Sequence, residues 1–116
     1  MNKEKLEKMY QESKCSKQEI YAFKGGVGKV TIYKNLLPET NPETCESGYI
    51  VLEKGAMIGN HKHVDNSETY KILCGNIEVN GYLYVVGGTH VCKRGDSHYC
   101  KNISNGIAII SFTKTV

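Results

Sequence analysis

Residue 20 marks a change of period, and that change constrains the fold of this chain more than any other feature. Beyond it, apolar residues come in short runs rich in β-branched and aromatic side chains: IYAF (20–23), VTIY (30–33), YIVLE (49–53), TYKILC (69–74), IEV (77–79), YLYVV (82–86), THVC (89–92) and IAIISF (107–112). Gly25-Gly26, Pro38 to Pro42, Gly55, Gly59, Asn80-Gly81, Gly87-Gly88, Gly95 and Asn105-Gly106 separate them. Runs of this composition and length read as strands. Asn80-Gly81 between two of them signals a two-residue hairpin. Short strands in series, with no helical period between them, imply an all-β sandwich or barrel. Only KEKLEKMYQES (3–13) departs, with Leu6, Met9 and Tyr10 spaced as one face of a short amphipathic helix. The chain is therefore read as an N-terminal helical arm over 1–19 and one domain over 20–116, with 38–48 as its main loop.

Composition narrows the function classes. A chain of 116 residues is one domain in size. Of 15 cationic side chains only Arg94 is an arginine, and the net charge is +3. That is not the clustered basic footprint of a nucleic-acid binder. No apolar run approaches the roughly 18 residues of a membrane helix, and the first 20 residues are too polar for a secretory signal. Five cysteines, an odd number with no C-x-x-C pair, read as reduced thiols in a cytoplasmic protein. Free cysteines in such a chain are most simply small buried hydrophobes.

KGGVGKVT (24–31) imitates the phosphate-binding loop of one class of ATPases. That loop needs a hydroxyl directly after its lysine and a helix beyond. Here Val30 follows Lys29, the next residues are β-branched, and Pro38 comes soon after. The segment reads as a glycine-rich turn between two strands.

The histidines carry more information. Side chains two apart on a strand share a face, so His61 and His63 can point the same way. The four residues VDNS allow a turn that returns Glu68 beside them, and His98 arrives from a distant strand. Three imidazoles and a carboxylate make a mixed N/O site suited to one divalent Fe, Mn, Co, Ni or Zn ion. A rival grouping, His90-x-Cys92 with His98-x-Cys100, would make a structural zinc site but leaves His61, His63 and Glu68 without a role. A weaker variant lets Cys92 or Cys100 line the same cavity as the metal.

Two spacings give this site a family. Gly55, His61, His63, Glu68 and Gly75 fit G-x5-H-x-H-x4-E-x6-G at every fixed position. Gly87, Gly95, His98 and Asn102 fit G-x5-P-x-G-x2-H-x3-N, with Lys93 in place of the proline. At this chain's residue frequencies the first motif arises by chance roughly 2 × 10⁻⁴ times. In this order the two motifs resemble those of the cupin superfamily over about residues 48–112. The resemblance implies a small single-domain cupin, a double-stranded β-helix or jelly-roll barrel, with His61, His63, Glu68 and His98 as metal ligands. It also implies a homodimer, for which the GGVGKVTIY segment is a plausible interface element.

Around that set, Asn102 reads as a structural turn or outer contact, and Tyr70, two residues after Glu68, as a phenol near the metal. Tyr70 and Cys100 are the candidates for catalytic proton transfer; Cys92 and Cys100 are the candidate pocket thiols. Tyr49, Val51, Met57, Ile72, Tyr84 and Phe112 are further candidates to line the barrel, with the inward face left open. Two functions remain. One is a metalloenzyme, a dioxygenase or isomerase acting on a small hydroxy-carbonyl, carboxylate or sugar-like substrate. The other is a non-catalytic metal or ligand-sensing module. Fold alone does not choose between them.

Overall fold

Asn80 and Gly81 both adopt positive φ, 51° and 85°, as a two-residue hairpin turn requires. They join β6 (Ile77–Val79) to β7 (Tyr82–Tyr84), with Val79 opposite Tyr82. The rest of the architecture, in a computed structural model that describes residues 1–36 and 41–116, follows the same logic of short antiparallel strands. In chain order these are α1 (Lys3–Gln11), β1 (Cys15–Tyr21), β2 (Lys29–Asn35), β3 (Thr44–Leu52), β4 (Met57–Lys62), β5 (Ser67–Cys74), β6, β7, β8 (Thr89–Cys92), β9 (Ser97–Asn102) and β10 (Ala108–Thr115). One sheet has the order β1-β2-β3-β10-β5-β8 and the other β4-β9-β6-β7. The two sheets form a jelly roll. Among the described residues no helix is long and apolar enough to cross a membrane.

Between the sheets lies a core of Val30, Ile50, Leu52, Ile58, Tyr70, Ile72, Ile77, Val79, Cys100, Ile110 and Phe112. Each large side chain buried there contributes about 1.5–3 kcal/mol relative to exposure. Alternation sends the neighbours the other way. Val51 and Ile109, paired across β3 and β10, face outward onto Leu6, Cys15 and Tyr33. Of the candidate lining residues, Tyr70, Ile72 and Phe112 thus point inward, whereas Tyr49 and Val51 belong to the outer cluster.

That outer cluster docks the helix. Leu6 is fully buried. The Asn2 side chain caps the helix by accepting from the Lys5 amide at 2.9 Å. Glu7 Oε1 accepts from Tyr33 Oη at 3.1 Å and from Lys17 Nζ at 2.5 Å. β1 begins at Cys15, earlier than the IYAF run suggests, because its polar residues pair with β2 from Cys15↔Asn35 onward. The loop expected over 38–48 is likewise shortened. Residues 38–40 lie outside the described residues, and from Thr44 the chain is already strand, held by pairing to Lys114 and its neighbours rather than by apolar content.

The KGGVGKVT segment is the turn between β1 and β2, bridged to β4 through Val27↔Met57. Its glycines serve close packing. A Cβ on Gly26 would collide with the Met57 carbonyl, and a Cβ on Gly59 with the Lys24 carbonyl. The turn therefore lies directly on the backbone of β4, and it carries Phe23 and Lys24 to the mouth of a cavity.

Candidate metal centre

β4 and β9 hold the centre, and neither is among the strongly apolar runs. Their ladder is irregular: Ile58 pairs with Cys100 but His61 with His98, so β4 carries one extra residue. The resulting bulge changes the alternation. Ile58 is buried, Asn60 is exposed, and His61 turns inward instead of outward. His63, just past the strand end, follows on the same side, where its amide donates to the Asp96 carbonyl at 3.0 Å. On β5, regular alternation buries Glu68, Tyr70 and Ile72 together.

The side chains converge. The Nε2 atoms of His61, His63 and His98 form a triangle with edges of 3.1, 2.9 and 3.1 Å. Glu68 Oε1 lies 3.1 Å from His63 Nε2 and 3.3 Å from His98 Nε2. These four residues are a group that could hold one metal ion. Cys92 and Cys100 lie outside the group, and so does the rival pairing of His90 with Cys92.

Protonation makes the case for a cation. His61 Nδ1 lies 2.8 Å from the Gly59 carbonyl, which can only accept, so the proton sits on Nδ1 and Nε2 is bare. His63 Nδ1 faces Asn66 Oδ1 at 3.3 Å with the same consequence. Two imidazole lone pairs thus face each other beside a carboxylate oxygen. That oxygen, Glu68 Oε1, is buried and has no hydrogen-bond partner. Such a cluster of acceptors repels itself unless a proton on His98 Nε2, 3.3 Å from Glu68 Oε1, or a cation lies among them. An ion about 2.0–2.1 Å from each nitrogen sets neighbours at right angles about 3 Å apart, which the triangle matches.

Burial pushes His61 below its ordinary pKa, helped by the neighbouring His98 and His63, and pushes His90 down as well. Burial pushes Glu68 up, but His98, His63, Lys114 and the Tyr70 hydroxyl outweigh it and hold the carboxyl below its usual value. Both effects favour the metal-ready forms, neutral imidazole and ionised carboxylate.

Other expected site residues fall in different places. Tyr70 is fully buried and stacks on His98 at 5.0 Å. Burial and the Glu68 charge raise its phenol well above the ordinary value. Burial pushes the Cys92 thiol up to about 11 and the Cys100 thiol up to about 12. Asn102 touches none of the four metal candidates. Its Nδ2 donates to the carbonyls of Leu52, Glu53 and Gly106, and its Oδ1 accepts from the Ser104 amide, so it staples the β9–β10 turn. A cavity of about 330 Å³ opens beside the cluster, lined by Phe23, Lys24, Lys62, Asp65, Phe112 and Lys114 among others. Lys62, which alternation sends away from the ligands to solvent, is exposed yet reaches the cavity wall, and Lys114 escaped sequence reasoning because a lone lysine on a polar strand end reads as ordinary surface.

Comparison with known proteins agrees with this geometry. A predicted oxalate decarboxylase from Thermotoga maritima superposes with a TM-score of 0.78 at 25% identity, over 90% of this chain and 95% of that one. The chain has the fold of a small cupin. An RmlC-like cupin from Shewanella frigidimarina superposes with a TM-score of 0.66 at 18% identity, over 90% and 86% of the two chains. The Schizosaccharomyces pombe Cnp3 cupin domain gives 0.64 at 17% identity, over 85% and 68%. No protein-family model and no curated protein matches the sequence. In this chain the jelly roll brings His61 of β4, His63 just beyond it and His98 of β9 against Glu68 of β5.

Proposed function

We propose that this cupin binds one divalent transition metal through His61, His63, Glu68 and His98, and acts there on a small oxygen-rich substrate, as a dioxygenase or isomerase. The observation that carries the reading is the convergence of bare imidazole nitrogens on a buried carboxylate oxygen without a donor, beside an open cavity. A bound ion of this kind supplies Lewis acidity and, if it is iron, a place to activate oxygen. Lys24, Lys62 and Lys114 line the cavity and suit a carboxylate or another anionic oxygen ligand. The description of the Thermotoga protein as a predicted oxalate decarboxylase supports a small carboxylate as substrate class. Phe23 and Phe112 supply the apolar part of the wall.

One observation favours the second reading, a non-catalytic metal or ligand-sensing module. Neither candidate for proton transfer is available as a base at neutral pH, since burial holds both the Tyr70 phenol and the Cys100 thiol protonated. Elemental analysis of untagged protein tests the core of both readings. About one metal ion per chain in the wild type, absent from His61→Ala/His63→Ala, is expected. Equal metal in both proteins refutes the site. Oxygen consumption or turnover of small carboxylates by the iron- or manganese-loaded protein separates enzyme from sensor. The homodimer is part of the same proposal and is tested by light scattering. β2 has both edges paired, to β1 and β3, so the GGVGKVTIY segment offers no free edge for it.

A further inference from the structure

We propose that His90 is a positioning residue for His98, accepting the proton that His98 must carry on Nδ1 when its Nε2 binds metal. The inference rests on the metal reading above and goes beyond its ligand set. His61 and His63 have their Nδ1 atoms against fixed acceptors, a carbonyl and a side-chain amide oxygen. His98, fully buried, has only another imidazole: its Nδ1 lies 3.1 Å from His90 Nε2. His90 Nδ1 in turn lies 3.2 Å from the Tyr84 hydroxyl.

This chain of three can run in two directions. If Tyr84 donates inward, His90 donates from Nε2 to His98 Nδ1, and the His98 proton is left on Nε2 among the metal ligands. If His98 donates outward, His90 accepts at Nε2 and gives its own Nδ1 proton to the Tyr84 oxygen. Only the outward direction leaves His98 Nε2 free. His90 makes that direction possible without leaving a buried N–H unpaired, a penalty of the kind that weakens ligation.

The placement is built by the fold. His90 sits on β8 directly opposite Tyr70 on β5, at the edge of the six-stranded sheet. Tyr84 sits on β7, at the edge of the four-stranded sheet. Their link to His98 on β9 ties the two sheet edges together behind the metal candidates. Tyr70 lies nearly parallel to the His98 ring at 20°, so the ring is held by stacking as well as at Nδ1.

The test is zinc affinity by chelator competition in the wild type, His90→Phe, His90→Gln and Tyr84→Phe. His90→Phe keeps a planar ring without an acceptor and is expected to weaken zinc about 10–100-fold. His90→Gln offers an amide oxygen and is expected to recover most of that loss. Tyr84→Phe acts one bond further out and is expected to cost less than His90→Phe. In the zinc-loaded wild type, a scalar coupling across the hydrogen bond from His98 Nδ1 to His90 Nε2 is expected by NMR; this readout needs no variant to fold. Its absence overturns the proposal, as does zinc affinity in His90→Phe equal to the wild type, even if Tm falls. A wild type that takes up no zinc at this site refutes the metal reading itself, which distinguishes the two failures.

Discussion

His61 and His98 are direct partners across the β4–β9 ladder, with their Nε2 atoms 3.1 Å apart. They meet on the inner face only because β4 carries an extra residue between Ile58 and His61. In an unbulged strand, Ile58 and His61 would face opposite sides.

Deleting Asn60 leaves His61 two residues after Ile58, so regular alternation still faces it inward opposite His98. The variant is therefore expected to retain both its β-sheet circular dichroism and its metal. Loss of metal from a folded deletion variant would show that the extra residue does more than offset the alternation.

Glu68→Gln keeps the shape of the side chain and removes its charge. Metal affinity is expected to fall by more than the about 10–100-fold typical of losing an outer partner. Chelator competition measures this, with circular dichroism expected to be unchanged.

The metal-free protein should lose stability in acid. His61 lies below its ordinary value of 6.5, and Glu68 below its ordinary value of 4.5. In both cases the unfolded chain takes up protons first, so their stabilisation is present above the ordinary value and is lost as pH falls through the folded one. Tm of chelator-treated protein is expected to start falling below about pH 6.5 and to fall further below about pH 4.5. A Tm that rises between pH 7 and 5 would contradict this assignment of charge.

Thiol labelling should divide the cysteines. Cys45 is exposed, whereas Cys92 and Cys100 are buried and held protonated up to about 11 and about 12. Alkylation at pH 8 followed by mass spectrometry is expected to mark Cys45 in the native protein, and Cys92 and Cys100 only after unfolding.

Gly59→Ala introduces a methyl where the Lys24 carbonyl now lies. Forced separation of the turn from β4 is expected to cost about 1–3 kcal/mol, read as a lower denaturation midpoint. Because Gly59 also accepts from His61 Nδ1, metal affinity should fall in the same variant.

Much of this was legible in the residues. The β6–β7 hairpin followed from Asn80-Gly81, and the helix from Leu6, Met9 and Tyr10. The convergence of His61, His63, Glu68 and His98 followed from their spacing. The strands that hold His61 and His98 were harder to see, because MIGNHK and SHYCKN are polar. Ladder pairing, not composition, makes them strands. The role of Asn102 as a staple was open because its carbonyl partners come from as far away as Leu52.

The sequence by itself determined the alternation of short strands and turns and the residue types of the site, because both are set by local periodicity and spacing. Only the tertiary structure decided which face turned inward. A strand's two faces are equivalent until something packs against one, and here a single inserted residue, held under the Gly26 turn, chose for His61. It also decided that His90, unremarkable on its own strand, stands behind His98, since that meeting joins two sheets whose edges are brought together by the closure of the fold.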